Sequence, residues 1–254
     1  MVQNKGKMSP IPVSAPTGRF PEIDLLRGVA VGLMIIYHVF FDLVFFAGES
    51  WDLSGEIIWI IGRSAAVLFV GLAGLSIGLA WKRKHQENKI SLLLRGAQIL
   101  GMGIALTGFT WIFFPTYVIW FGILHLIGTA IILGTFLLPH PRLTFILGMI
   151  FTFFGVLFSL PAYAGKIPFL IPLFPAAFPT FDYVPLFPWL GLFLLGMSAG
   201  DYFFPSGRQR HIIVFDTCNA ISKTLIWGGR NSLLLYFIHQ PILVGIIWLF
   251  TYGI

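Results

Sequence analysis

Apolar residues run through this chain in blocks too long for the alternation of a strand and too uniform for a one-sided surface helix. Blocks near 25–47, 57–81, 92–113, 118–138, 143–160, 185–204 and 232–251 are each close to the ~20 residues that cross a ~30 Å hydrocarbon core. Helices satisfy their own backbone hydrogen bonds in lipid, so the pattern predicts an all-α, polytopic bundle of about seven transmembrane helices. The polar interruptions are few and carry the interest: Arg27, His38 and Asp42 in the first block, Arg63 in the second, His125 in the fourth and His239 in the last.

Arg27 and His38 are eleven residues apart. Eleven steps of a helix make three turns plus roughly 20°, so the two side chains share a face and are separated by about 16 Å of rise. Asp42 continues the column one turn further. Ionisable side chains are costly inside a membrane, and such a stripe predicts a polar pathway or site. Counting along each block puts His38 about 20 Å above the inner boundary, with Arg63, His125, His239 and Asp42 between the midplane and the outer surface.

Charge then orients the bundle. With the amino terminus in the cytoplasm, fourteen of the sixteen Lys and Arg residues fall on the inner side, and only Arg63 and Lys166 near the outer one. The positive-inside rule therefore predicts a cytoplasmic amino terminus and an external carboxy terminus. The net charge of +6 reports topology and anionic headgroups rather than nucleic acid, because the basic runs flank apolar blocks without interleaved aromatics. A content of 57% hydrophobic and 10% charged residues excludes a soluble globule. The single cysteine, Cys218, excludes an intrachain disulfide, and no metal site is expected.

Residues 1–21, rich in Pro, Ser, Lys and Gly, read as a flexible cytoplasmic tail ahead of one transmembrane domain at 22–254. The first apolar block exceeds the 7–15 residues of a signal core and reads as a retained anchor. Prolines and aromatics over 161–188 suggest a loop capping the outer side, and 205–229 an interfacial amphipathic segment. The many glycines of the second and third blocks read as packing positions.

Each polar residue also has a plain reading. His125 and His239 can serve interhelical hydrogen bonds, Arg63 can snorkel or pair with Asp42, and Arg27, Arg95 and Arg230 stand at inner helix ends where headgroup contact competes with phosphate binding. His85, His140 and His211 fall in cytoplasmic loops and need no function. For His38 the alignment with Arg27 and Asp42 favours a site.

The stretch Glu22-Ile-Asp-Leu-Leu-Arg-Gly-Val-Ala30 leading to Tyr37-His38 resembles the opening of the transmembrane acyltransferase superfamily, and its Arg-x10-His spacing is similar to that of the O-antigen acetylase branch. Further segments resemble prokaryotic heparan-α-glucosaminide N-acetyltransferase-like proteins. They are Gly62 to Gly74, Phe121 to Gly128, Phe187-Pro-Trp-Leu-Gly191 to Gly200-Asp-Tyr202, and Gly229-Arg-Asn-Ser-Leu-Leu-Leu-Tyr-Phe-Ile-His-Gln-Pro241. The resemblance implies a multi-pass enzyme of the cell membrane that moves an acyl group, usually acetyl, from cytoplasmic acyl-CoA to an amine or hydroxyl of a sugar on the outer side.

Under that resemblance, Arg27, Arg95, Arg230 and Asn231 would hold the phosphates of acetyl-CoA. His38 would act as general base, oriented by Asp42, with Arg63, His125 or the Asn231 amide stabilising the oxyanion and His239 nearby. The same superfamily includes the lysosomal heparan-α-glucosaminide N-acetyltransferase, in which the histidine proposed to carry the acetyl group is associated with the lumenal segment after the first helix, and the corresponding residues 47–52 here contain no histidine. Direct transfer is therefore the expectation. The chain is shorter than both relatives, which leaves room for a homo-oligomeric partner. A proton-coupled small-molecule transporter is the alternative, although the repeated halves usual in such carriers are not evident.

Overall fold

The computed structural model describes residues 20–53, 55–83, 89–159, 179–203 and 219–253. The tail up to residue 19, His85, His211, Cys218, most of the proline-rich loop and the larger part of the 205–229 segment lie outside these residues. Among the described residues the chain forms eight α-helices. They are α1 (Pro21–Ala47), α2 (Glu56–Arg83), α3 (Lys89–Phe113), α4 (Ile123–Leu137), α5 (Pro141–Ser159), α6 (Leu186–Phe203), α7 (Ala220–Arg230) and α8 (Ser232–Tyr252), with a single 3-10 turn at Pro115–Tyr117 before α4. α1, α2, α3, α5 and α8 are long and apolar enough to cross a membrane, and α4 and α6 are shorter apolar helices.

Local chemistry sets the boundaries. Pro21 opens α1 at a position whose N–H has no partner inside a helix, and Gly48 closes it at φ 74°, a left-handed conformation that glycine takes without strain. α4 begins at Ile123 rather than near 118, because Pro115 starts the 3-10 turn and Gly122 stands extended as the N-cap. α7 is a separate short helix within the segment read as interfacial. Asn219 caps it by accepting the Ser222 N–H at 2.7 Å, and Asn231 ends it by donating its N–H to the Trp227 carbonyl at 3.1 Å.

Helices approach closely where side chains are absent. A Cβ on Gly74 or Gly78 would collide with the Phe193 or Met197 backbone of α6, and one on Gly128 with Leu100 of α3. Gly28 of α1 faces the Leu225 carbonyl of α7, and Gly229 faces the Asp24 carbonyl. These contacts set α7 antiparallel along the first half of α1. Val70, Ile77, Leu126, Ile131, Phe193 and Leu194 form the main core between α2, α4 and α6. α8 then returns along α1, with Leu235 and Tyr236 against Val31 and Met34.

Residues 179–184 form a strap beside 117–123. The Phe181 N–H donates to the Tyr117 carbonyl at 3.2 Å, and the Val184 N–H to the Phe121 carbonyl at 2.9 Å. Phe181 sits among Phe41, Phe45, Phe114 and Tyr117, so aromatic rings close this end of the bundle.

Candidate active site

α3 is held mainly by α4, which leaves a space between α3 and the α1–α2–α8 group. That space is a cavity of about 1060 Å³. Its wall shows helical periodicity: Arg95, Gln98, Ile99, Met102, Leu106, Phe109 and Thr110 contribute from α3, and Arg27, Met34, His38 and Phe41 from α1. The fifteen helical steps from Arg95 to Thr110 correspond to roughly 22 Å, most of a bilayer core.

One end is basic. Arg27 Nη2 donates to Ser76 Oγ at 2.7 Å and Nη1 to Asp24 Oδ1 at 3.1 Å, while Arg230 Nε donates to Asp24 Oδ2 at 3.3 Å. Arg95, six residues into α3, joins the same end, since α3 follows the end of α2 that carries Ser76. Three helices thus bring Arg27, Arg95 and Arg230 to one mouth.

Some three turns of α1 away lies a pair of imidazoles. The rings of His38 and His239 meet edge to face with centroids 4.8 Å apart. His38 Nδ1 is 2.8 Å from the Met34 carbonyl, and His239 Nδ1 is 2.7 Å from that of Tyr236 and 3.1 Å from that of Leu235. A carbonyl only accepts, so in each ring Nδ1 carries the hydrogen and a neutral ring keeps its lone pair on Nε2. His239 Nε2 is buried and has no hydrogen-bond partner among the described residues. Both rings line the cavity.

Arg63 reaches the same region from α2. Its guanidinium lies 5.5 Å from the Trp59 ring and 5.6 Å from the Trp189 ring, a cation–π arrangement on the wall of the cavity. The strap contributes Asp182, the one carboxylate on the cavity wall among the described residues. One of its oxygens accepts the Ile123 N–H at 2.8 Å, capping α4 from outside the helix, and Tyr37 and Tyr236 lie within its electrostatic reach. Burial pushes the Asp182 carboxyl up to about 6, and the Ile123 N–H pulls it back only in part.

Of the side chains singled out in the sequence, Arg27, His38, Arg63, Arg95, Arg230 and His239 line this one cavity. Asp42, His125 and Asn231 are placed elsewhere. Asp42 is fully buried and accepts Gln240 Nε2 at 2.6 Å, so its partner is an amide of α8 and not the His38 ring. His125 is committed to the start of α4: its Nδ1 accepts the Gly122 N–H at 3.2 Å, and its Nε2 lies 3.2 Å from Thr107 Oγ1. Gly122 has no side chain to cap the helix, and the histidine three residues on supplies the acceptor. The Asn231 side chain donates to the Trp227 carbonyl at 2.9 Å.

The residues missed by sequence reasoning are Asp24, Ser76, Asp182 and Gln240. Asp24 alone had a usable signal, its i, i+3 spacing to Arg27.

The model of the family described as heparan-alpha-glucosaminide N-acetyltransferase, catalytic, matches residues 19–241. No curated protein and no solved structure matches the chain significantly.

Proposed function

The chain belongs to the heparan-alpha-glucosaminide N-acetyltransferase catalytic family and is a membrane acetyltransferase, and from that membership we propose that it moves an acetyl group from cytoplasmic acetyl-CoA to an amine or hydroxyl of a sugar on the outer side. The observation that carries this reading is the single cavity joining three arginines to two imidazoles. The fourteen-to-two distribution of basic residues supports a cytoplasmic arginine end. The diphosphate of the donor rests against Arg27, Arg95 and Arg230, and the pantetheine arm runs up the apolar wall past Ile99 and Met102. The thioester then lies at the level of His38, a span comparable to the about 16 Å of helix between Arg27 and His38.

At that level the chemistry is direct transfer. The acceptor nitrogen or oxygen attacks the thioester carbon as an imidazole Nε2 takes its proton, the carbon–sulfur bond breaks, and the imidazolium returns the proton to the leaving coenzyme A thiolate. His38 is the favoured base, and His239, in ring contact with it, shares the charge or the proton. Arg63, on the cavity wall, stabilises the oxyanion of the tetrahedral intermediate. The neighbouring roof of Phe41, Phe45 and Phe181 keeps water from the thioester. A homo-oligomer is compatible with this arrangement and does not enter the chemistry.

The test is coenzyme A release by the purified chain in detergent, with and without amino sugars, for wild type and His38→Ala. Acceptor-dependent release by the wild type and its loss in the variant support the proposal. Normal turnover by His38→Ala removes His38 from the mechanism, and solute uptake into liposomes without consumption of acetyl-CoA favours a carrier instead.

A further inference from the structure

Asp24 stands behind the donor end of the cavity without lining it. It lies in the first turn of α1 and is 4% exposed, and its two oxygens serve two different helices. Oδ1 holds Arg27 of its own helix, Oδ2 holds Arg230 of α7, and Ser76 of α2 takes a second nitrogen of Arg27. A guanidinium is a rigid planar fork on a flexible stem, so a buried carboxylate that binds one edge determines where the remaining N–H groups point. Gly229 brings α7 close enough for this bridge to form, since the α1 backbone at Asp24 occupies the space of its missing Cβ.

The charges fit the same picture. Arg27, Arg95 and Arg230 contribute three positive charges and Asp24 cancels one, which leaves two to face the two negative charges of a diphosphate diester.

We infer that Asp24 is a positioning residue for the donor: it locks Arg27 and Arg230 in one geometry in which both guanidiniums, on the cavity wall, receive the diphosphate of acyl-CoA. This inference rests on the acetyl-CoA reading above. It makes a prediction whose sign separates it from simple electrostatics. Removing a negative charge beside an anion site strengthens long-range attraction for the anion, whereas removing a clamp releases both guanidiniums and weakens binding.

The experiment compares wild type, Asp24→Asn and Ser76→Ala, each as the full chain in detergent, with two donors: acetyl-CoA, and S-acetylpantetheine, which lacks the diphosphate. Charge-assisted hydrogen bonds of this kind correspond to an expected rise of about tenfold in KM for acetyl-CoA in Asp24→Asn, with kcat nearly unchanged and S-acetylpantetheine used as by the wild type. Ser76→Ala keeps every charge and loses one hold on Arg27, so its KM for acetyl-CoA rises by a smaller factor and its use of S-acetylpantetheine is unchanged. A lower KM for acetyl-CoA in Asp24→Asn, or an equal loss with both donors, overturns the positioning role. Should Asp24→Asn fail to accumulate, an unchanged KM in Ser76→Ala overturns it. Failure of the wild type to use either donor overturns the donor assignment itself, and is distinguishable because it appears without any change at Asp24.

Discussion

Replacing Gly28 by alanine tests the α1–α7 crossing that brings Arg230 to Asp24. The added Cβ would stand 2.9 Å from Leu225 Cα and nearer still to the Leu225 carbonyl. Carbon atoms need ~3.5 Å or more, so the helices must separate by roughly 1 Å. The Arg230 Nε to Asp24 Oδ2 contact, now 3.3 Å, then passes beyond hydrogen-bonding range. Overpacking of this kind costs about 1–3 kcal/mol, against a gain of up to ~1 kcal/mol in helix propensity. At about 2–4 °C per kcal/mol for a chain of this size, the melting temperature in detergent falls by a few degrees and up to roughly 10 °C. Gly32, one turn along the same helix, supplies the control, because a Cβ there meets nothing within 4 Å. Gly32→Ala is expected to be neutral or slightly stabilising. The assay is thermal unfolding of both variants together with KM for acetyl-CoA, which rises for Gly28→Ala alone. A Gly28→Ala protein as stable as Gly32→Ala, with the wild-type KM, refutes the reasoning.

Three further outcomes are expected. His38→Ala lowers kcat/KM by about 10²–10⁴-fold, His239→Ala lowers it less, and the double variant is little worse than His38→Ala, since groups acting as one unit do not add; multiplied losses in the double variant would show that the rings act separately. Gln240→Ala leaves the fully buried Asp42 without its hydrogen-bond donor and destabilises by about 1–3 kcal/mol, read as a lower melting temperature, whereas an unchanged one contradicts the assigned pair. The folded Asp182 carboxyl is raised from 3.8 to about 6, so its stability contribution is fully present below about 4 and is lost as pH rises through about 6. Wild type should therefore gain stability relative to Asp182→Asn between pH 7.5 and pH 5, and a constant difference in melting temperature across that range would count against it.

Much of the fold was legible because hydrocarbon imposes length and apolarity on each spanning helix, and because helical periodicity ties residues on one element to one face. Arg27 and His38 share the cavity wall for that reason. What could not be read was which element stands opposite. Asp42 lay in the same column, but its partner Gln240 comes from α8, nearly two hundred residues away in sequence. His125 looked like a buried titratable group, yet the missing cap side chain at Gly122 gives it a local backbone role that hydropathy does not reveal. Asp24 was hidden by its position, since an acidic residue in a first turn already suits the helix dipole. Asp182 sits in a loop noted for proline and aromatics, and its place on the cavity wall depends on the strap lying beside α4. The glycines divided in the same way: Gly28, Gly74, Gly128 and Gly229 mark close crossings, whereas Gly101 and Gly108 meet no neighbour.

The central claim is that one cavity leads the donor from the arginine end to the imidazole pair. A structure of the full chain with bound acetyl-CoA tests it most directly. The account predicts the diphosphate against Arg27, Arg95 and Arg230, and the thioester at the level of the imidazole pair. An acceptor nitrogen about 3–3.5 Å from its carbonyl carbon would then be within hydrogen-bonding reach of His38 Nε2. A donor bound with its thioester outside this cavity, or with its diphosphate beside the strap, would contradict it.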